Sequence, residues 1–319
     1  MGRARIGWAA NGRAASRGAA LAVLVGLGLG ACGREEPPAA APAAGGGEQQ
    51  AAAVSSTELR ALAVERAPLT DPADPLWERA PRLVVALLPQ QIAYPRLAEP
   101  SVNQLEARAL ADPQWLSIRL SWADPSRDDV LATDRYTDAV AVELPLGDPA
   151  RTSPFMGSAE HPVYILQWKA VWQRDLEHGR ADVQDLHPGY WADPYPFVTG
   201  GHPYPVLEAY QTADARRYLP GVTAGNPASR LYRRWPVEEL HAEGFGSLAA
   251  HRFQDARGGG GWAEGRWRVV LALPRHVPDR ANPTLGPGES AIAFALWDGA
   301  RANVGGRKHY FPFVKLVLP

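Results

Sequence analysis

Short runs of apolar or alternating residues recur along the chain between about residue 82 and residue 318. Alternation with a period of two is typical of a strand that buries one face, and short apolar runs between turn-forming residues are typical of buried strands. D-P-S at 124–126 and G-P-G at 286–288 are two of the intervening turns. The pattern predicts an all-β fold, a two-sheet antiparallel β-sandwich with long loop insertions. The predicted strands are 82–88, 115–122, 139–146, 163–171, 246–253, 267–273, 291–297 and 311–318.

The interval of about 172–235 departs from this pattern and is predicted to be an insertion. It contains L-H-P-G-Y-W-A-D-P-Y-P-F and G-H-P-Y-P, and proline at this density disfavours both helix and central strand. An ordered insertion of this length is more often functional or partner-facing than idle. After it, V-E-E-L-H-A at 237–242 predicts a short helical turn, and the four glycines at 258–261 predict a flexible hairpin tip.

The first 32 residues have the pattern of an export signal. Arginines precede an apolar run at 19–29, which is too short for a membrane span, and small residues stand before Cys32. Because L-G-A-C at 29–32 resembles a bacterial lipobox, residues 1–32 are predicted to be a lipoprotein signal peptide that leaves a lipidated Cys32 as the mature N-terminus. An ordinary signal peptide with an incidental cysteine is the alternative. Residues 33–56 contain almost no large apolar group and are predicted to be a disordered tether, which leaves 57–319 as the folded domain.

Composition excludes several classes of function. Cys32 is the only cysteine, so the domain can form no internal disulfide and no C-x-x-C-H haem attachment, and any haem must be held non-covalently. The formal net charge of −1 argues against nucleic acid as a partner, since a nucleic-acid-binding surface needs a basic stripe. No G-x-S-x-G or H-E-x-x-H motif is present, and the eight histidines are too scattered to predict a zinc site.

Two residues are candidates for metal chemistry. Met156 is the only methionine apart from the initiator, and its thioether, just before an apolar strand, could serve as a soft metal ligand or could simply fill the core. Lys308 stands just before the last predicted strand, where a lysine is usually a solvated charge at the rim. The residue types alone leave both alternatives open.

Four short motifs occur in a fixed order along the chain. They are P-F-M-G at 154–157 followed by H-P-V-Y-I-L-Q-W-K-A, A-G-N-P at 224–227, A-E-G-F-G-S-L at 242–248, and A-F-A-L-W-D-G at 293–299 with G-G-R-K at 305–308. Together they resemble the haem b-binding gamma subunits of type II dimethyl sulfoxide reductase-like molybdoenzymes. That family includes subunits of ethylbenzene dehydrogenase and of chlorate-, selenate- and nitrate-converting enzymes. The resemblance covers roughly residues 81–319.

The resemblance implies a β-sandwich that holds one haem b non-covalently between a methionine and a lysine. Carried over residue by residue, these ligands are Met156 and Lys308, and His309 beside Lys308 is an alternative second ligand. The candidate pocket walls are Phe155, Trp168 and Phe294.

As a member of such a family the chain is expected to be a non-catalytic, periplasmic electron-transfer subunit, held at a membrane face through its lipid anchor. It would relay electrons between an iron-sulfur subunit, which adjoins a molybdopterin catalytic subunit, and a soluble cytochrome or other carrier. A different class of function is a carbohydrate- or ligand-binding β-sandwich lipoprotein without haem, in which some of the eleven tryptophans stack on sugars. A structural lipoprotein without any cofactor is the third alternative.

Overall fold

The computed structural model describes residues 57–181, 185, 187, 211–230, 232–277 and 281–319. All of them belong to one compact unit, Ala53–Pro319. The predicted signal peptide at 1–32 and the predicted tether at 33–56 lie outside the described residues, and so do residues 188–210 of the insertion. Within the described ranges, no helix is both long and apolar enough to cross a membrane.

Strands make up most of the ordered elements in this part of the chain. The helices are short: α1 (Ala170–His178), α2 (Ala213–Arg216) and α3 (Pro220–Thr223). Three 3₁₀ turns lie at Pro75–Arg79, Pro227–Ser229 and Gly299–Arg301. The strands are β1 (Glu58–Ala63), β2 (Leu83–Ala86), β3 (Leu88–Pro89), β4 (Gln104–Ala111), β5 (Trp115–Ala123), β6 (Ala139–Pro145), β7 (Val163–Lys169), β8 (Val237–Ala242), β9 (Ala249–Ala250), β10 (Arg257–Ala263), β11 (Arg266–Pro274), β12 (Gly288–Trp297) and β13 (His309–Leu318).

Two sheets form the fold, and β1 joins them. The first sheet has the order β10-β11-β5-β4, and the second has the order β13-β12-β6-β7-β8-β9. The first half of β1 pairs in parallel with β13, where Glu58 lies opposite Lys315, and its second half pairs in parallel with β4, where Ala61 lies opposite Ala109. The prediction of an all-β sandwich is confirmed. The parallel pairing of β1 on both sides is a feature that the sequence pattern did not predict.

The main hydrophobic core lies between the sheets and contains inward-facing residues of both. Trp122 of β5, Trp168 of β7 and Trp267 of β11 are fully buried there. The ring centroids of Trp168 and Trp267 are 4.9 Å apart, and those of Trp122 and Trp267 are 6.2 Å apart. Because successive side chains of a strand point to opposite faces, the neighbours of Trp168 in β7 point outward.

The segment 237–242 is the strand β8, so the predicted helical turn is wrong. Its backbone extends the ladder of β7, with Val237 opposite Trp168. Glu239 is buried on the core side of this strand, where it accepts hydrogen bonds from the Tyr164 hydroxyl at 2.7 Å and the Ala256 backbone N–H at 2.7 Å. Pairing partners outside the segment therefore decide its conformation. The predicted strand at 246–253 shortens to β9, and the pattern missed both β1 and β4.

The glycines at 258–261 lie inside the strand β10, so the predicted hairpin tip is also wrong. A Cβ atom at Gly260 would stand 2.5 Å from the ring of Trp168, and one at Gly259 would stand 2.3 Å from the carbonyl oxygen of Thr70. Such close approach of backbone to its neighbours requires glycine. Tight packing, and not a need for a flexible turn, accounts for the first three glycines of this run, Gly258, Gly259 and Gly260.

Candidate cofactor site

A cavity of about 620 Å³ lies on the outer face of the second sheet. Its floor consists of outward-facing residues of β6, β7 and β12. Four of these residues are alanines, and an alanine side chain extends only one methyl group from the backbone. The alanines therefore leave open space above the middle of the sheet. The four residues are Ala139, Ala141, Ala293 and Ala295.

Large apolar side chains that are exposed to solvent surround this floor. They come from loops that follow different strands, so the rim forms only in the folded domain. The ring of Phe155 forms one wall and packs edge-on against Tyr310, with ring centroids 5.5 Å apart. Exposed apolar side chains clustered around one concave site indicate a binding site for an apolar ligand. The exposed rim residues are Ile92, Tyr94, Leu131, Phe245, Leu248 and Val304.

Met156 reaches the cavity from the loop between β6 and β7. Its backbone is left-handed, with φ of 69°, and the next residue, Gly157, has φ of 66°. Positive φ is uncommon for a residue other than glycine, and such conformations cluster at functional sites. The loop is held in place because the Met156 carbonyl accepts a hydrogen bond from the Gly244 N–H at 2.7 Å. A Cβ atom at Gly157 would stand 2.8 Å from the His161 carbonyl oxygen, so the turn also requires that glycine.

Lys308 enters the cavity from the loop between β12 and β13. The carbonyl oxygen of Lys308 accepts a hydrogen bond from the Gln90 backbone N–H at 3.0 Å, and the Gln90 side-chain amide donates to the Gly306 carbonyl at 2.6 Å. These bonds fix the position of the lysine backbone. As a result, Lys308 Nζ lies 3.9 Å from Met156 Sδ and 5.3 Å from the ring centroid of Trp297.

The electrostatics of the site favour a neutral amine. Burial lowers the pKa of Lys308, and the nearby Glu143 opposes this shift. A lysine binds a metal only through the lone pair of its deprotonated amine, so a lowered pKa assists ligation. Burial raises the pKa of Glu143 to about 8, against the opposing effects of Lys308 and of a hydrogen bond from the Met156 backbone N–H.

The facing thioether and amine fit an axial pair on a haem iron. At zinc sites a metal–nitrogen and a metal–sulfur bond sum to about 4.4 Å. Lys308 Nζ and Met156 Sδ lie 3.9 Å apart, so both donors are within reach of one metal ion after a small separation. Methionine sulfur is an established axial donor to haem iron, and the surrounding wall is mainly apolar, as a porphyrin requires. The donor set and the shape of the cavity therefore both suit this cofactor.

Of the three predicted wall residues, two line the cavity. Phe155 does so with its side chain, and Phe294 lines it while its buried side chain also belongs to the core between the sheets. Trp168 does not line the cavity, so its predicted role as a wall is corrected. The alternation of β7 explains this difference, because Gln167 and Lys169 point to the cavity while Trp168 points to the core.

His309 lies elsewhere in the fold. Its ring is fully buried, and it is not among the residues that line the cavity. Its Nε2 accepts hydrogen bonds from the backbone N–H groups of Ser101 at 2.9 Å and Val102 at 3.2 Å, and Nδ1 lies 3.2 Å from the Leu296 carbonyl. Both ring nitrogens thus have backbone partners. The structure brings Lys308, and not His309, to Met156.

Sequence analysis missed Glu143 and Gln90. Glu143 carries a signal, because it is the one charged residue in the strand A-V-A-V-E-L-P and it alternates with Ala139 and Ala141, which line the cavity. No sequence pattern identifies Gln90, because its role depends on a hydrogen bond to Gly306, which is 216 residues away. Trp297 could have been found by its place at the end of an alternating strand.

Three aspartates that do not line the cavity form a separate acidic group. Ligand atoms of Asp124, Asp128 and Asp138 lie within 4.8 Å of one another. Asp138 accepts hydrogen bonds from the Gly299 N–H at 2.8 Å and from the indole N–H of Trp267 at 2.9 Å. These contacts connect two loops to the core. Asp138 therefore has a structural role that accounts for its burial.

Known proteins resemble this chain over most of its folded domain. It is 32% identical over 255 residues to chlorate reductase subunit gamma of Ideonella dechloratans, which covers 78% of this chain and 80% of that protein. It is 26% identical over 249 residues to a protein of Haloferax mediterranei named as a candidate heme subunit of a respiratory nitrate reductase, which covers 76% of this chain and 67% of that protein. It is 25% identical over 246 residues to dimethylsulfide dehydrogenase subunit gamma of Rhodovulum sulfidophilum, which covers 75% of this chain and 71% of that protein.

A solved carbohydrate-binding module of family 9 from Caldicellulosiruptor kristjanssonii aligns with 82% of this chain and 93% of its own, at a TM-score of 0.37 and 9% identity. A likeness at this level carries no argument about function. The family model for ethylbenzene dehydrogenase matches residues 74–309, which include both Met156 and Lys308. The resemblance based on the four motifs is confirmed. This chain belongs to the ethylbenzene dehydrogenase family.

Proposed function

We propose that this chain is the electron-transfer subunit of a molybdenum oxidoreductase complex and that it holds one non-covalent haem b between Met156 and Lys308. The observation that carries the proposal is the approach of the Met156 thioether to the Lys308 amine across an apolar cavity. The names of the relatives add support, because they describe subunits of reductases and dehydrogenases and, in one case, a heme subunit.

When bound, the haem supplies a one-electron carrier. The residues of this chain determine its properties. The thioether of Met156 favours the ferrous state and so raises the reduction potential. Burial lowers the pKa of Lys308, which would assist its amine in binding as a neutral donor. The alanine floor and the apolar rim would shield the bound group from water, and the exposure of that rim places one edge of the site near the surface.

The proposal extends to partners and location. An iron-sulfur subunit next to a molybdopterin catalytic subunit exchanges electrons with this chain, and a soluble cytochrome or similar carrier exchanges them on the other side. The complex lies on the periplasmic side of a membrane. The export signal in the sequence, which ends in L-G-A-C at Cys32, supports this location.

A visible spectrum of the purified full chain tests the cofactor. We expect a Soret band and sharp α and β bands after reduction, with haem that acidified organic solvent extracts because no covalent link holds it. Titration with haemin should saturate at one equivalent. A protein that takes up no haem and instead binds an oligosaccharide would replace this proposal with the carbohydrate-binding alternative.

Substitution of Cys32 tests the anchor. The wild-type chain should sediment with membranes, and Cys32→Ser should be released into the soluble fraction because the lipid attachment is lost. Both proteins should show the same haem spectrum, since Cys32 lies outside the domain that holds the cavity. Sedimentation of Cys32→Ser with membranes in the absence of partner subunits would overturn the anchor.

A further inference from the structure

Glu143 is the only acidic residue among the described residues that line the cavity. It stands on β6 between Ala293 of β12 and Ile165 of β7 in cross-strand register, so its side chain rises from the middle of the floor. Its carboxyl group accepts a hydrogen bond from the Met156 backbone N–H, and the charge of Lys308 lowers its pKa against the effect of burial. Glu143 therefore lies on the cavity floor near both segments that carry the proposed ligands.

One oxygen of this carboxylate lacks a partner. Glu143 Oε1 is buried, and within the described part of the chain it accepts no hydrogen bond. A buried polar atom without a partner costs about 1–3 kcal/mol, and more for a charged group. An alanine at this position would continue the apolar floor of Ala141 and Ala293 without that cost. The acid at this position therefore indicates a function that an apolar side chain could not perform.

We propose that Glu143 is a positioning residue for both axial ligands. One carboxylate oxygen holds the Met156 backbone N–H and so fixes the left-handed turn that directs the thioether. Oε1 accepts an N–H of the Lys308 amine while the lone pair of that amine binds the iron. This inference rests on the proposed function, because it gives Glu143 its role through the two ligands of the haem.

Both halves of this role follow from the chemistry of the donors. A neutral amine has two N–H bonds and one lone pair, so a fixed acceptor for one N–H restricts the direction in which the lone pair points. Carboxylates that accept from metal-bound groups orient the ligand and raise its basicity. On the other side, Met156 has φ of 69°, a conformation that persists only when surrounding contacts enforce it. The bond to Glu143 is one such contact, and the bond from the Gly244 N–H is another.

The experiment compares haem-loaded wild-type protein with Glu143→Ala and Glu143→Gln. Three quantities are measured: the low-spin fraction of the oxidised protein, carbon monoxide binding by the reduced protein, and the rate of haem transfer to excess apomyoglobin. Met156→Ala is the reference for a detached thioether. Glu289→Ala is the matched control, because Glu289 is an exposed acid on β12 that pairs with Lys315 away from the cavity.

We expect Glu143→Ala to lose haem about 10- to 100-fold faster than wild type, the usual effect of removing a group that orients a metal ligand. It should also bind carbon monoxide as Met156→Ala does, although its methionine is intact. Glu143→Gln keeps one acceptor oxygen and should fall between Glu143→Ala and wild type in haem loss. Glu289→Ala should match wild type in all three measurements.

A folded Glu143→Ala protein with wild-type haem loss and no carbon monoxide binding would overturn the positioning role and leave the proposed function intact. If Glu143→Ala does not fold, Glu143→Gln decides, and haem loss at the wild-type rate overturns the role. If wild-type protein takes up no haem, the proposed function itself fails. If Glu143 served only to balance the charge of Lys308, its substitution would change the stability of the protein. It would not allow carbon monoxide to replace the methionine ligand.

Discussion

Met156 Sδ and Lys308 Nζ lie 3.9 Å apart, although 152 residues separate them along the chain. Neither loop holds its donor atom in this position without contacts from other segments. The backbone of Met156 is bonded to Gly244, and the backbone of Lys308 is bonded to Gln90, so four distant segments must fold before the two donors face each other. The pair therefore forms only in the folded domain. Because both residues lie in loops, either one can be substituted without interrupting a strand.

The first prediction concerns the two donors. Oxidised wild-type protein loaded with haem should be six-coordinate and low-spin near neutral pH. Met156→Ala should lower the reduction potential or give a high-spin spectrum, because the thioether stabilises the ferrous state. Acidification of wild type should detach the Lys308 amine before the thioether, since protons compete with iron for the nitrogen lone pair but not for sulfur. Spectra recorded across a pH titration and a potentiometric titration measure these changes.

In Lys308→Ala the acid transition should be absent, because no amine remains to be protonated. Lys315→Ala is the matched control, since Lys315 is an exposed lysine on β13, the strand that follows Lys308, and it pairs with Glu289. That variant should retain the wild-type transition. A Lys308→Ala protein that stays low-spin and keeps its acid transition would contradict the lysine assignment.

The sequence predicted the fold class well where apolar or alternating runs lie between turn-forming residues. The predicted strand 115–122, which alternates, corresponds to β5, and 139–146, which is mainly apolar, corresponds to β6. It failed at 237–242 and at the glycines of β10. In those segments the conformation depends on the pairing of Val237 with Trp168 and on the close approach of Gly260 to the same ring, and local propensity contains neither contact.

The candidate site was predictable in part. Met156 and Lys308 came from the resemblance of short motifs, and the structure brings them together. The error at Trp168 arose from a motif that contains residues of both strand faces, since Gln167 and Lys169 line the cavity while Trp168 does not. Glu143 was missed because its meaning depends on the Met156 loop folding over it. A contact such as that of Gln90 with Gly306, 216 residues away, leaves no pattern in either segment alone.

The second prediction concerns the turn that presents Met156. Gly157→Ala should destabilise the domain by about 1–3 kcal/mol, because the new Cβ would approach the His161 carbonyl oxygen to 2.8 Å and the backbone φ is 66°. It should also reduce the low-spin fraction of the loaded protein, since the thioether can no longer be held toward Lys308. Urea unfolding and the visible spectrum measure the two effects.

Gly147→Ala is the control for this turn. Gly147 lies in the same connection between β6 and β7, and a Cβ atom there would meet nothing within 4 Å. Its stability should stay within about 0.5 kcal/mol of wild type, with an unchanged spectrum. If Gly157→Ala and Gly147→Ala had the same stability and the same visible spectrum, the Gly157 turn would not be what positions the methionine.

The third prediction concerns pH and the acidic group. Burial raises the pKa of Asp124 to about 6, and burial together with the charge of Asp124 raises the pKa of Asp138 to about 7. The ordinary value is about 3.9. Between that value and the folded-state values the native protein binds more protons than the unfolded chain, so the free energy of unfolding should fall as pH rises through this window and level off above it.

Asp124→Asn should weaken this pH dependence. The asparagine removes one titrating group and the negative charge next to Asp138, and its side-chain oxygen can still accept the hydrogen bond from the Ser126 N–H. Urea unfolding at a series of pH values from about 4 to about 8 measures the slope. Comparison with wild type in the same haem-loaded state cancels any contribution of the haem ligands. A variant whose slope equals that of wild type would contradict the shift assigned to Asp124.

The last prediction separates the core from the cofactor site. Gly260→Ala should destabilise the domain by about 1–3 kcal/mol, because its Cβ would stand 2.5 Å from the Trp168 ring, which is fixed between Trp122 and Trp267 and cannot yield. At Gly261 the nearest atom would be 3.9 Å away, so Gly261→Ala should leave stability within about 0.5 kcal/mol of wild type.

Trp168 faces away from the cavity, so both of these glycine variants should keep the wild-type haem spectrum while their urea midpoints differ. This combination distinguishes a core residue from a pocket wall. Should Gly260→Ala alter the haem spectrum as well as the midpoint, displacement of Trp168 would reach the floor of the cavity through β7, and the division of that strand into a core face and a cofactor face would be wrong.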